Sequence, residues 1–147
     1  MTTGTGGPPL LMLLTRMRDT ILNGLHDRLA EEGFEGVRSV HGSVFRTIDP
    51  EGSRLTTLAE RAGLTKQAMA ELVMDLENRG YVERLADATD RRAKIIRLTK
   101  AGREAQAAAA RILGDTERRW AGLIGEEQFA ALKGTLAQAI EIEATST

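Results

Sequence analysis

Residues 54–85 read RLTTLAERAGLTKQAMAELVMDLENRGYVERL, and this stretch carries the signals of two short helices joined by a tight turn. Thr57-Leu58-Ala59-Glu60 fits a capping box at the start of the first helix. Gly63 supplies the left-handed residue that commonly ends a helix. Leu64 is then expected to pack inward, and Thr65 is a natural N-cap for the second helix. The stretch therefore predicts a helix-turn-helix.

The second helix of this motif has two distinct faces. Apolar residues at helical spacing form the stripe that is expected to face the core: Met69, Leu72, Val73 and Leu76. Helix geometry places a different set on the opposite face: Gln67, Glu71, Met74 and Asn78. Lys66 and Ala70 flank that opposite face near the start, and Gly80 ends the helix. One face is committed to packing, and the other is available to a partner.

A hairpin follows the second helix directly. Short apolar runs at residues 81–85 and 95–98 flank the polar, turn-forming stretch 86–93. Arg91 and Arg92 fall at the tip of this hairpin, where exposed guanidinium groups suggest a partner of negative charge. A helix-turn-helix followed by a two-stranded hairpin is a winged helix.

The charge of the chain is distributed unevenly. Residues 79–103 hold eight Lys and Arg against three Asp and Glu, a local charge of +5, whereas the 147-residue chain has a net charge of -1. A basic block on an otherwise acidic chain fits a surface that binds a polyanion. A solvated hairpin with an accidental excess of cations would look the same in the sequence.

Helices are predicted on both sides of the winged motif. The apolar positions of residues 10–30 recur at spacings of three and four, which predicts an amphipathic helix. Its apolar face is wider than one small core needs, which favours a subunit interface over simple packing. Further helices are expected over about 37–48, 100–124 and 126–142, the second of them capped by Thr99. Residues 1–9, rich in Gly, Thr and Pro, are expected to be disordered.

The composition excludes several classes of protein. The chain has no cysteine, so disulfides, thiol nucleophiles and cysteine-based zinc sites are excluded. His26 and His41 lack any metal-ligand spacing, and no Gly-rich phosphate loop follows a strand. We therefore expect no metal, no cofactor and no enzymatic activity. The apolar run LLMLL at residues 10–14 is too short for a membrane span or a signal peptide, which predicts a cytoplasmic protein without membrane contact.

The second helix of a helix-turn-helix lies in the major groove of double-stranded DNA, with its N-terminal residues at the base edges. Here the candidates for that role are Thr65, Lys66, Gln67 and Ala70. Gln67 can pair bidentately with adenine, and Lys66 can reach guanine or a phosphate. Ala70 admits close approach to a thymine methyl group. The Glu71 carboxylate could accept a hydrogen bond from a cytosine amino group. Without that bond its negative charge would weaken binding near the phosphates, so its role stays open.

The wing supplies a second set of candidates for DNA contact: Asp90, Arg91, Arg92 and Lys94. A wing beside the second helix can reach the neighbouring minor groove, where narrow A·T-rich segments attract arginine. Asp90 can pair with the Arg92 guanidinium and orient it, can form an Asx turn, or can do both. Phosphate contacts without sequence information are expected from a further set: Arg84, Lys94, Arg97 and Lys100.

LTTLAERAGLTKQAMAELVMDLENRGYVER (55–84) followed by DRRAKIIRLTKAGRE (90–104) resembles the MarR family of bacterial transcriptional regulators, with Asp90-x-Arg92 and Leu98-Thr99 at the family's positions. The resemblance implies an obligate homodimer whose N- and C-terminal helices interlock. It implies binding to a palindromic operator, usually as a repressor, and release by a small aromatic or phenolic ligand between the lobes. It places Lys66, Gln67 and Ala70 on the recognition helix and Arg92 at the wing tip in the minor groove.

The resulting prediction is a mainly α protein with a small β-hairpin wing, a winged helix-turn-helix plus a helical dimerisation lobe. We assign residues 37–99 to the DNA-binding lobe and residues 10–36 with 100–147 to the dimerisation lobe. Many relatives have a basic residue where this chain has Glu71, and the lack of cysteine excludes the thiol peroxide-sensing branch.

Two matters stay open at this point. The ligand-binding residues are unassigned, because the polar or aromatic candidates on the helices that would line a pocket are each better explained by a structural or surface role: Arg38, His41 and Trp120. The alternative function is a winged-helix module that binds protein without specific DNA binding. Met74 and Glu71 give that alternative slight support, whereas Lys66, Gln67 and the basic wing oppose it.

Overall fold

The structure is a computed structural model that describes residues 6–146. Its elements follow in the order α1 (Leu10–Glu31), a short 3₁₀ helix (Ser39–His41), α2 (Gly42–Thr47), β1 (Ser53–Arg54), α3 (Leu55–Ala62), α4 (Lys66–Asn78), β2 (Val82–Ala86), β3 (Lys94–Leu98), α5 (Lys100–Ile124) and α6 (Glu126–Thr145). The predicted mainly helical fold with a small β wing is confirmed. Of residues 1–9, expected to be disordered, 1–5 lie outside the described residues, and 6–9 are exposed and belong to no helix or strand.

The described chain divides into two compact units, with the boundary after Ala110. The first unit holds every element from α1 to β3 and the first turns of α5. The second unit holds the rest of α5 and all of α6. The assignment of residues 10–36 and 100–147 to a single dimerisation lobe stays a prediction.

The helix-turn-helix forms as predicted, but its first helix begins earlier than the capping box indicated. α3 begins at Leu55 with Arg54 as its N-cap, and no side chain caps it. The prediction of a capping box at residues 57–60 was therefore wrong. Arg54, the last residue of β1, is extended (φ −73°, ψ 151°), and the helix begins at the next residue. Gly63 ends α3 in the left-handed region (φ +67°), as expected. Leu64 does not pack inward: its amide donates to the Ala59 carbonyl at 2.9 Å to close the turn, and its side chain is 37% exposed.

α4 begins where the sequence indicated. The Thr65 hydroxyl accepts a hydrogen bond from the Ala68 amide at 3.0 Å, so Thr65 is the N-cap. Of the predicted apolar stripe, Leu72 is partly buried and the other three residues are buried. They join a core of residues from α2, α3, the sheet and α5: Val44, Leu58, Ala59, Tyr81, Val82, Ile96, Leu98 and Ala105. This packing fixes α4 by its apolar face and leaves its opposite face in solvent.

The wing is part of a three-stranded antiparallel sheet in the order β1-β3-β2. β2 and β3 form the predicted hairpin, in a register that runs from Val82 opposite Leu98 to Ala86 opposite Lys94. β1 was not predicted. Its two residues, Ser53 and Arg54, pair with Ile96 and Ile95, and two residues are too few to show an alternating pattern.

The predicted helix over about 37–48 is shorter than expected. Arg38 is extended (φ −112°, ψ 168°), a 3₁₀ turn follows it, and the α-helix begins only at Gly42. The cause is a side-chain cap that the sequence pattern did not reveal. The Arg38 amide donates to Nδ1 of His41 at 2.9 Å, which holds the chain outside helical geometry at that point.

α5 begins against the end of the recognition motif. The Thr99 hydroxyl accepts from the Gly102 amide at 3.1 Å, which confirms Thr99 as the cap, and donates to the Gly80 carbonyl at 2.6 Å. Gly102 is buried, and a Cβ at this position would overlap the carbonyl oxygen of Tyr81. Glycine at residue 102 therefore allows the first turn of α5 to lie directly on the chain that enters β2.

Candidate nucleic-acid interface

The start of α4 presents the predicted contact residues on an open surface. Thr65, Lys66 and Gln67 are exposed, and Ala70 is half-buried. The Thr65 hydroxyl is engaged as the helix cap, so its contribution to a partner is limited by that bond. Lys66 has no carboxylate partner within residues 6–146. Glu71 is also exposed, four residues along the same face from Gln67.

The wing tip carries the second predicted set. Arg91, Arg92 and Lys94 are exposed, and none of them forms an ion pair with another described residue. The Oδ1 atom of Asp90 accepts from the backbone amide of Arg92 at 3.0 Å. Of the two roles considered for Asp90, the structure contains the Asx turn and not the pairing with the Arg92 guanidinium. The guanidinium group of Arg92 is therefore free to meet a partner.

The other cations of the basic block are mostly engaged within the chain. Three of the four residues expected to contact phosphate have carboxylate partners: Arg84 with Glu77 at 3.3 Å, Arg97 with Glu83 at 2.6 Å and Lys100 with Glu104 at 3.8 Å. Lys94 is the member of that set without such a partner among the described residues. Within the basic block, the exposed cations without a carboxylate partner among the described residues therefore lie mainly on the wing, at Arg91, Arg92 and Lys94.

The base of the wing contains an ion pair that sequence reasoning missed. Asp87 is 8% exposed, and its Oδ1 atom accepts from the amide and the hydroxyl of Thr89, both at 2.9 Å. Its Oδ2 atom accepts from Nε of Arg54 at 2.9 Å and also from Nη2. The hydrogen bonds from the Thr89 backbone and the Arg54 side chain lower the pKa of Asp87 to about 2. An aspartate in a polar turn was visible in the sequence, but nothing local indicated a partner 33 positions earlier.

The polar candidates for a ligand pocket have structural explanations in this fold. His41 is buried, with Nδ1 bonded to the Arg38 amide and Nε2 lying 2.6 Å from Oδ2 of Asp75 on α4. Burial lowers the pKa of His41 in spite of the neighbouring Asp75 carboxylate. In the second unit, Trp120 packs edge-to-face on Phe129 with ring centroids 6.5 Å apart. The ligand-binding residues therefore stay unassigned.

The described part of the chain contains neither a cluster of metal ligands nor a membrane-spanning helix. Between residues 6 and 146, no three His, Asp or Glu side chains lie close enough together to hold a metal ion. The same residues form no helix with the length and apolar character that a membrane span needs.

A three-stranded wing beside a helix-turn-helix, with unpaired cations on both, defines the class of winged helix-turn-helix proteins. Residues 37–93 match the family model described as "MarR family". Over these residues the match confirms the resemblance to the MarR family that was stated from the sequence. Members of this family are transcriptional regulators and not enzymes, which agrees with the catalytic motifs missing from the sequence.

Curated proteins match this chain in sequence over part of their length. The transcriptional regulator HosA of Escherichia coli O127:H6 (strain E2348/69 / EPEC) is 36% identical over 87 residues. The match covers 58% of this chain and 64% of HosA, so the chain spans less than two thirds of that relative.

Solved structures extend the likeness of fold to almost the whole chain. The transcriptional repressor CouR bound to a 23-mer DNA duplex has a TM-score of 0.72 at 24% identity and covers 95% of this chain and 98% of its own. CouR from Rhodococcus jostii RHA1 bound to p-coumaroyl-CoA has a TM-score of 0.62 at 28% identity and covers 84% of this chain and 86% of its own. The winged helix-turn-helix fold of this chain is therefore one that these proteins share.

Proposed function

We propose that the protein is a sequence-specific DNA-binding transcriptional regulator that acts as a homodimer on a palindromic operator. In this proposal it represses transcription until a small aromatic or phenolic ligand releases it. The observation that carries the proposal is the location of unpaired cations: Lys66 at the start of α4, and Arg91, Arg92 and Lys94 on the wing. Solved structures of similar fold, one bound to a DNA duplex and one bound to p-coumaroyl-CoA, support it.

α4 is the recognition helix of this proposal and enters the major groove with its N-terminal turn. Thr65 caps the helix and holds Lys66 and Gln67 in its first turn, where both side chains are exposed. Gln67 offers an amide NH2 group as donor beside a carbonyl oxygen as acceptor, the pattern that matches an adenine edge, and Lys66 reaches guanine or phosphate. The half-buried Ala70 leaves room for a base to approach the helix backbone.

The wing is the minor-groove element of the proposal. Its guanidinium groups carry a charge that no carboxylate of the described chain compensates, and the narrow minor groove of an A·T-rich segment has an enhanced negative potential. Arg92 is the residue that we place in that groove, with Arg91 and Lys94 beside it. Asp90 shapes the tip through its bond to the Arg92 amide.

The experiment that tests this function is a fluorescence-anisotropy titration of the protein with a duplex from upstream of its own coding sequence and with a scrambled duplex, across a salt series. We expect selective binding to the first duplex, with affinity that falls steeply as salt rises because phosphate contacts release counterions. No binding to either duplex at low salt, from a folded protein, would contradict the proposal.

Such a failure would favour the second candidate function, a winged-helix module that binds protein. One observation favours it specifically: Met74 is 52% exposed on the same face of α4 as Gln67. An exposed methionine suits an adaptable apolar contact better than a DNA groove.

Replacement of Gln67 by alanine is expected to change sequence preference more than general affinity. The variant loses a base-edge contact that is worth roughly 1–2 kcal/mol on the selected duplex, a loss of about tenfold. Binding to the scrambled duplex is expected to stay within about twofold, since phosphate contacts are unaltered. Competition between the two duplexes measures the change, and an equal loss on both would refute base reading by Gln67.

Replacement of Arg92 by alanine is expected to weaken binding to the selected duplex by roughly tenfold, as the removal of a groove-bound arginine costs about 1–3 kcal/mol. The salt dependence should become shallower by about one counterion. The thermal unfolding midpoint should not change, because Arg92 is exposed and its side chain has no partner in the described chain. Unaltered affinity would remove the wing tip from the mechanism.

A further inference from the structure

The wing loop is held by hydrogen bonds along most of its length. The Asp87 amide donates to the Ala93 carbonyl at 3.1 Å, which closes the loop at its base, and the Ala93 amide donates to the Asp90 carbonyl at 3.0 Å. The bond from the Arg92 amide to Asp90 orders the tip. A loop ordered before binding loses less conformational entropy on binding than a free one.

These bonds order the loop internally but do not by themselves fix its direction relative to the recognition helix. Arg84 on β2 pairs with Glu77 on α4, and a second side-chain contact ties the loop itself to the helix-turn-helix at the base of the wing. Arg54 ends β1 and is also the N-cap of α3, the first helix of the helix-turn-helix. Its guanidinium donates from both Nε and Nη2 to a single oxygen of Asp87, Oδ2, and two donors on one oxygen hold the carboxylate in place more firmly than one donor would. The other oxygen of Asp87 holds Thr89, so the carboxylate joins α3 to the loop that carries Arg92.

We infer that Asp87 and Arg54 are positioning residues for DNA binding, which aim the wing arginines at the minor groove while touching no DNA themselves. This inference rests on the proposed function. On this inference two parts of the wing contribute to the affinity for DNA: the arginines at its tip and the ion pair at its base. A wing released at the base keeps its charges but no longer holds them in the direction that the groove requires.

The sign of the effect separates this role from simple electrostatics. Replacement of Asp87 by Asn removes a negative charge from the wing, and charge alone would tighten binding to a polyanion. Positioning predicts the opposite: about fivefold weaker binding to the upstream duplex. The matched control is Asp49→Asn, which makes the same chemical change in the pair that Asp49 Oδ1 forms with Arg61 Nη1 at 2.9 Å. That control is expected to bind as well as the unaltered protein or slightly better.

A double-mutant cycle with Arg92→Ala tests whether Asp87 acts through the wing arginine. In the Arg92→Ala background, Asp87→Asn should change affinity by less than about twofold, because no tip arginine remains to be positioned. An undiminished loss in that background, or tighter binding of the single variant, would overturn the inference. Arg54→Lys offers a milder second arm that keeps the charge but replaces the two donor nitrogens on Oδ2 with a single ammonium group. The loss of DNA affinity caused by Arg54→Lys should likewise disappear in the Arg92→Ala background.

The same titrations distinguish this inference from the proposed function. If the unaltered protein binds neither duplex, the proposed function fails. If the unaltered protein binds and Arg92→Ala weakens it, while Asp87→Asn and Arg54→Lys bind like Asp49→Asn, the regulator stands and the positioning role is wrong. Circular-dichroism melting of each variant establishes that the lost affinity belongs to folded protein.

Discussion

A Gly102→Ala variant is expected to lose about 3 kcal/mol of unfolding free energy, the upper part of the range for overpacking a buried site. The added methyl group would overlap the carbonyl oxygen of Tyr81 and lie about 3.2 Å from Cδ2 of Leu98. The overlap is with backbone, which cannot turn aside as a side chain can. The carbonyl also accepts the Thr99 amide at 3.0 Å, so a shift of the chain would break the bond that places α5 on β2.

The matched control lies in the same helix. Gly122 is exposed in α5, and a Cβ there meets nothing within 4 Å. Gly122→Ala is therefore expected to stabilise the protein by up to about 1 kcal/mol, since alanine favours the helix over glycine. Urea unfolding of both variants at one fixed protein concentration measures the difference, because an oligomer's stability depends on concentration. Equal stabilities for the two variants would show that α5 moves away from β2 at little cost.

An Ile140→Glu variant is expected to lose at least about 100-fold in dimer affinity. α6 has 20 residues, all of them described, and none is buried; Ile140 is 67% exposed. A helix of this length gains little stability from propensity alone, so we propose that a second copy of the chain covers it. Burial of an isoleucine is worth about 1.5–3 kcal/mol, and a two-fold interface counts it twice.

The N-terminal helix supports the same proposal independently. Of the residues of α1, all described, Leu29 alone is buried, and Leu11 is 75% exposed. The matched control for Ile140→Glu is Gln138→Glu, which adds the same charge at an exposed polar position of α6. Light scattering across a dilution series should give a monomer for the first variant and a dimer for the second. A dimer of unchanged affinity for Ile140→Glu would exclude this residue from the interface.

The sequence predicted the elements whose signals are local. Thr65 and Gly63 act through hydrogen bonds and backbone angles within four residues, so their roles as cap and helix end could be read directly. The hairpin of β2 and β3 was readable for the same reason, since two apolar runs flank a turn-forming stretch. The match to the family model covers residues 37–93, which include Gly63, Thr65 and β2.

Several of the missed features depend on contacts between distant parts of the chain, whereas the Arg38–His41 cap and the exposed Leu64 depend on bonds within five residues. β1 exists because Ser53 lies against Ile96, and its two residues show no periodicity of their own. The start of α3 moved for the same reason, as β1 leads straight into it. Leu64 was expected inside because it is apolar, but it lies in the turn that its amide closes by a hydrogen bond to Ala59, and the residue is 37% exposed. For the candidate site, the sequence identified the exposed cations, whereas the Arg54–Asp87 pair required the fold.

The short strand β1 also has a consequence for how the protein unfolds. By pairing with β3, it closes a chain loop of about 40 residues that contains α3, α4 and β2. Closing a loop of that length costs little more entropy than closing one of half its length. We therefore expect the two helices and the wing to unfold as one cooperative block rather than as separate pieces. Loss of the three-stranded pairing would release α4 together with the wing. We therefore expect α4 and the wing to unfold together, with no populated state in which one of them is folded and the other is not.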